Sequence, residues 1–113
     1  MSESCLFCRI VRGEIPATLV ADTDECVAFR DINPQAPLHV LVIPRTHVAS
    51  LADADDAALV GRLSLVAADI ARREGYAASG YRTVVNTGSD AGQTVHHLHL
   101  HLLAGRPLRW PPG

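Results

Sequence analysis

The stretch His97-Leu98-His99-Leu100-His101-Leu102-Leu103 alternates imidazole with leucine at period two. Successive side chains of a β-strand point to opposite faces, so the spacing predicts a last strand over 97–103 with three imidazoles on one face and the leucines packed on the other. Along such a strand, positions i and i+2 lie about 6.6 Å apart and the outer pair about 13 Å apart. Neighbouring imidazoles can share one metal ion at that spacing; the outer two cannot. The row therefore suits an elongated polar substrate, with one imidazole over the reacting atom and another handling charge or protons beside it. The competing reading is an affinity tag or a solvated strand face, but tags are terminal, tandem and free of interleaved leucines.

Immediately upstream, Asn86-Thr87-Gly88-Ser89-Asp90-Ala91-Gly92-Gln93-Thr94 is a loop of glycines, hydroxyls and amides. Glycine lets backbone approach an anion, and unpaired N–H groups there can hold phosphate oxygens; the alternative is a plain turn. Tyr81 to Asn86 alternates as a strand. A helix is expected from about Asp53 to Glu74, where Leu59, Leu63, Val66, Ala67, Ile70 and Ala71 form one apolar stripe. Asp53, Asp55 and Asp56 suit its N-terminal end, Arg72 and Arg73 the other, and Gly75 stops it. Gly61 inside it costs up to ~1 kcal/mol against alanine and is expected to mark a close approach of another backbone.

Toward the N-terminus, Leu38 to Ile43 reads as a strand stopped by Pro44, preceded by a loop at 31–37 held by two prolines. Thr18 to Ala21 and Cys26 to Arg30 make a hairpin around Asp22-Thr23-Asp24-Glu25. Cys5 to Val11 is a short helix or irregular arm. A hairpin followed by strands split by one helix predicts α+β with an antiparallel sheet.

Composition bounds the function. A chain of 113 residues suits one domain, 1–113, with a core that needs no disulfide staples. Ten basic against twelve acidic residues leave no electrostatic footprint for nucleic acid or an anionic membrane. No apolar run approaches the ~18 residues of a membrane span. The start Met1-Ser2-Glu3-Ser4 lacks the pattern of a secretory signal, and three cysteines make an odd set, so a reducing, cytoplasmic setting is expected.

Other candidates carry open alternatives. Cys5-Leu6-Phe7-Cys8 supplies half of a tetrahedral zinc site, a redox pair, or two buried free thiols; His47 and His97 are the remaining ligands available by residue type. Cys26 is most simply core. His39 shares a face with Leu41 and Ile43, as a satisfied core residue or a catalyst. Asp31 closes a strand, where an acid binds a ribose diol or caps a turn.

Taken together, Asp31-Ile32-Asn33-Pro34-Gln35-Ala36-Pro37-Leu38-His39-Val40-Leu41-Val42-Ile43-Pro44-Arg45, the segment Gly92-Gln93-Thr94-Val95 with the histidine row, and the tail Gly105-Arg106-Pro107-Leu108-Arg109-Trp110-Pro111-Pro112-Gly113 resemble the histidine triad (HIT) superfamily, Hint branch, over roughly Cys5 to Gly113. The resemblance implies a HIT fold: a five-stranded antiparallel sheet with one long helix and a short N-terminal helix, paired in a homodimer. It also implies a purine nucleotide site and hydrolysis of nucleoside phosphoramidates, such as adenosine 5′-monophosphoramidate, to a nucleoside monophosphate and an amine.

By position, the resemblance makes His99 the nucleophile, His101 a phosphate contact, His39 a support, and Thr94, where the branch commonly has serine, the residue at the leaving group. Asn86 and the backbone of Gly92, Gln93, Thr94 and Val95 would hold phosphate oxygens, Asp31 the ribose hydroxyls, and Phe29 and Ile32 the base. Superfamily members with an N-terminal Cys-x-x-Cys look like zinc proteins, which implies a closed structural site of Cys5, Cys8, His47 and His97. His96 departs from the aromatic residue usual in the branch and offers a rival ligand. The chemistry agrees, since an imidazole with an ordinary pKa of about 6.5 is a neutral nucleophile at pH 7. Two other functions compete: a nucleotide- or partner-binding module with incidental activity, and a dinucleoside polyphosphate hydrolase, against which the Trp110-Pro111-Pro112 tail weighs.

Overall fold

The computed structural model describes residues 4–113. A short helix α1 (Leu6–Val11) leads into the hairpin β1 (Leu19–Asp22) and β2 (Cys26–Arg30), then β3 (Leu38–Pro44). A 3-10 turn at Leu51–Asp53 precedes the long helix α2 (Ala57–Arg73), followed by β4 (Tyr81–Val84) and β5 (Leu100–Ala104). The strands form one antiparallel sheet in the order β1-β2-β3-β5-β4. This is the α+β architecture expected.

The sheet buries both faces of its centre. Cys26, Ala28, Leu38, Val40, Val42, Leu98, Leu100 and Leu102 meet Leu63, Ala67, Ile70 and Ala71 of α2 on one side. Val27, Phe29, Leu41 and Ile43 meet Cys5, Phe7 and Cys8 of the α1 arm on the other. Every residue of β3 is buried, which is why that strand, His39 apart, reads as an apolar run rather than an alternating one.

Three boundaries and one glycine differ from the sequence expectation. The last strand begins at Leu100, not His97: the Pro44 carbonyl is taken by the His97 ring at 2.9 Å and the Leu98 amide donates to Val48 at 2.6 Å, so the ladder with β3 stops at Val42–Leu100. The leucines nevertheless keep to the helix side. β4 ends at Val84, opposite His101. α2 begins at Ala57, not Asp53: Asp53 lies in the 3-10 turn bonded to Ser50 Oγ at 2.9 Å, and Asp56 caps the helix by accepting the Leu59 amide at 3.1 Å. A Cβ built on Gly61 meets nothing within 4 Å, so among the described residues no other backbone approaches it.

Glycine is required at position 105. Its φ of +99° follows β5, and an added Cβ would lie 2.7 Å from Pro37 Cβ. The turn thereby packs on the 31–37 loop, and Arg106 Nε donates to the Gln35 carbonyl at 2.9 Å.

Candidate active site and metal cluster

β3 and β5 are neighbours at the centre of the sheet, with Leu41 opposite His101 and His39 opposite Leu103. His39 and His101 are therefore diagonal neighbours on the face turned from α2. A hydrogen-bond chain runs through them. The Gln35 amide donates to His39 Nδ1 at 3.0 Å, so that ring carries its proton on Nε2. Nε2–H of His39 donates to His101 Nδ1 at 3.0 Å, which leaves His101 with its proton on Nε2. Asp31 Oδ2 lies 3.5 Å from the same His39 nitrogen, while its Oδ1 accepts the Asn33 amide at 2.8 Å. Asp31 thus caps its turn and supports the chain, and these bonds account for the convergence of Asp31, His39 and His101.

Burial keeps these rings neutral. It lowers His39 below the ordinary histidine value against the opposing pull of Asp31. His101 is pushed down to about 4, first by burial and then by His99 and His39 beside it. At neutral pH each ring is one donor and one acceptor, as the chain requires.

His99 is oriented differently. Its Nδ1–H donates to the His97 carbonyl at 2.7 Å, so Nε2 holds the lone pair. Its ring centroid lies 5.0 Å from that of His101. An imidazole held at Nδ1, with Nε2 left free of the backbone, thus stands beside a second imidazole whose Nε2 carries a proton. That pair can supply a nucleophile and a hydrogen-bond donor to one substrate phosphoryl group.

His99 and His101 open on a cavity of about 330 Å³, within the usual size of a ligand site. Phe29, Asp31, Ile32, Thr94 and Val95, all expected at the site, line it. His39 is buried behind His101 and is absent from the wall. Asn86, Gly92 and Gln93 also lie outside the lining. The loop explains why: the Gly92 and Gln93 amides donate to the Ser89 and Gly88 carbonyls, and the Gln93 side chain accepts from Gly88 and donates to Ala49 and Val95. Gln93 is buried by this stapling. Sequence reasoning missed the opposite wall, made by Leu6, Phe7 and Ile10 of α1 with Ile15, Pro16, Ala17 and Leu41. The apolar spacing of Leu6, Phe7 and Ile10 was the available signal.

The second cluster lies at the start of the arm. Ligand atoms of Cys5, Cys8, His47 and His97 all fall within 4.8 Å of one another. Cys5 Sγ is 3.4 Å and Cys8 Sγ 3.5 Å from His97 Nδ1, and Cys8 Sγ is 3.2 Å from His47 Nδ1. A tetrahedral zinc ion with sulfur at ~2.3 Å and nitrogen at ~2.0–2.1 Å has sulfur–nitrogen edges of about 3.5 Å. The donor set therefore fits that geometry. The tautomer fits too: His97 Nε2–H donates to the Pro44 carbonyl, freeing Nδ1 as a ligand. His96 is exposed and outside the cluster. Cys26 is buried against α2.

This antiparallel α+β sheet, with His101 on β5, His99 just before it and His39 on the neighbouring β3, is that of a HIT domain. The chain belongs to the HIT domain family, whose model matches residues 12–108. It is 56% identical, over the full length of both chains, to an uncharacterized HIT-like protein of Synechococcus elongatus. It is 47% identical to the purine nucleoside phosphoramidase of Escherichia coli K12, over 96% of this chain and 92% of that one. The solved structure of a HIT family hydrolase from Legionella pneumophila superposes with a TM-score of 0.95 at 49% identity, covering 97% of this chain and all of the other.

Proposed function

We propose that this chain is a Hint-branch hydrolase that cleaves the P–N bond of purine nucleoside 5′-phosphoramidates through a nucleotidyl-His99 intermediate. The observation that carries the reading is the tautomer of His99: the His97 carbonyl holds Nδ1–H, so the Nε2 lone pair is available in the cavity. A relative that is 47% identical and named purine nucleoside phosphoramidase supports the substrate class.

Nε2 of His99 attacks phosphorus, the Nε2–P bond forms, and the P–N bond to the amine breaks. The departing nitrogen takes up a proton from solvent by way of the Thr94 hydroxyl at the cavity wall. His99 is then an imidazolium whose Nδ1–H still faces a carbonyl, which stabilises the charge. His101 Nε2–H donates to a phosphoryl oxygen in both steps. Water then attacks phosphorus, the Nε2–P bond breaks, and the water's proton returns to solvent, so the proton taken up in the first step is released in the second.

Asp31 would accept from the ribose hydroxyls, and Phe29 and Ile32 would flank the base. Asn86 and the backbone of Gly92, Gln93, Thr94 and Val95 would approach the phosphate once the loop is engaged by substrate. Cys5, Cys8, His47 and His97 would hold a structural zinc ion, which ties the arm to β5 and supplies no reacting group. A homodimer is part of the proposal, on the resemblance to the Hint branch. The cytoplasm is the compartment proposed, since no disulfide joins Cys5, Cys8 and Cys26.

The test is adenosine 5′-monophosphoramidate turnover with His99→Ala. The variant should fold normally by circular dichroism, release no adenosine monophosphate, and form no acid-labile nucleotidyl adduct. Turnover unchanged from the parent would overturn the reading.

A further inference from the structure

Phe7 lies between the two cysteines of the arm and is 5% exposed. Its ring meets Phe29 at 5.4 Å, His97 at 6.0 Å and His99 at 5.1 Å, each near edge-on, the last at an interplanar angle of 88°. Neither the zinc chemistry nor the phosphoryl transfer uses it. Two physical routes join the metal cluster to His99. One is the side chain of Phe7, fixed in place by Cys5 and Cys8 on either side. The other is His97, whose ring is a ligand and whose carbonyl holds His99 Nδ1–H.

The hydrogen bond at Nδ1 opposes rotation of the His99 ring about Cβ–Cγ, and the rings of Phe7 at 5.1 Å and His101 at 5.0 Å supply the packing that holds it. Phe7 is the part of that packing that belongs to the arm. We infer that Phe7 is a positioning residue for His99, and that metal binding by Cys5, Cys8, His47 and His97 determines how firmly Phe7 and the His97 carbonyl hold that ring. The inference rests on His99 as the nucleophile. An edge-on aromatic contact biases a ring's orientation by up to about tenfold in population, and nucleophile displacement of ~1 Å costs up to about a hundredfold in rate. Loss of Phe7 should therefore slow adduct formation by about five- to tenfold through misorientation.

The experiment reads the ring directly. Protein carrying nitrogen-15 histidine is loaded with one equivalent of zinc, and the His99 tautomer is followed by NMR in the parent, Phe7→Leu and Phe7→Met. Both variants fill volume without a flat ring. The expected result is full zinc stoichiometry in all three, a single Nδ1–H tautomer of His99 in the parent, and a tautomer mixture or broadened ring signals in the variants, with slower adduct formation. Stripping the parent with a chelator should produce the same broadening. Variants that bind zinc and keep the parent His99 spectrum would overturn the role of Phe7; a stripped parent with an unchanged His99 spectrum would overturn the metal coupling. If neither variant folds, the contact between the Phe7 and His99 rings is read in the parent by nuclear Overhauser effects: a contact present with zinc and lost on stripping supports both roles, and a contact absent with zinc bound overturns that of Phe7. The spectrum needs no substrate, so a mistaken substrate class would appear separately, as an intact His99 tautomer with no adduct.

Discussion

His97 and His99 are joined by a 2.7 Å hydrogen bond in which the nucleophile candidate donates to the backbone carbonyl of the metal-ligand candidate. One residue thus faces the cluster with its ring and sets the protonation pattern of the other with its main chain. Removing the His97 ring leaves the carbonyl but takes away one ligand and the bond to Pro44.

His97→Ala is accordingly expected to bind zinc far below one equivalent and to melt more than about 10 °C lower than the zinc-loaded parent. Cys8→Ser should do the same. Cys26→Ala, whose side chain packs on the α2 face of the sheet and is no part of the cluster, should keep full zinc stoichiometry. Chromogenic chelator titration and thermal unfolding check all three.

The relay from Gln35 through His39 to His101 makes a second prediction. Without the His39 donor, His101 is free to place its proton on Nδ1, and its Nε2 then no longer donates into the cavity. His39→Phe should lower kcat by about 10- to 100-fold with little change in KM. Steady-state kinetics on adenosine 5′-monophosphoramidate measure this, and a change confined to KM would contradict it.

Stability should depend on pH through the same rings. Burial holds His39 and His101 below the ordinary value of 6.5, His101 at about 4, so the unfolded chain binds protons that the folded chain does not. Stability is whole above about pH 6.5 and declines as pH falls toward 4, by on the order of 2 kcal/mol for His101. Urea unfolding between pH 7 and 4.5 should show a flatter slope for His101→Asn than for the parent, after zinc is removed from both.

Gly105→Ala should destabilise by about 1–3 kcal/mol, because alanine disfavours a φ of +99° and its Cβ would meet Pro37. The same turn carries Arg106 onto the carbonyl of Gln35, the residue whose own amide feeds His39. Activity should therefore fall along with the urea midpoint.

Much of this was legible in the chain because it depends on local periodicity. The alternation of 97–103 sorted imidazoles from leucines correctly even though the strand proper begins at Leu100, since face assignment survives where ladder bonding does not. The α2 stripe likewise predicted the buried Leu63, Ala67, Ile70 and Ala71, while Leu59 and Val66 are only half-buried. Boundaries were less legible. Where β5 starts depends on which group takes the Pro44 carbonyl, and that partner is more than fifty positions away in sequence.

By itself, then, the sequence determined the α+β class, the face on which the imidazoles stand and the set of ligand-type residues. Residue type and period are sufficient for those. Tertiary structure alone decided which of them meet and in what protonation pattern. It joined Cys5 and Cys8 to His47 and His97, put His39 behind His101 rather than in the cavity, and turned α1 into the cavity's apolar wall. Tautomers follow from hydrogen-bond partners, and those partners are brought together by strand pairing and arm packing, which no spacing along the chain encodes.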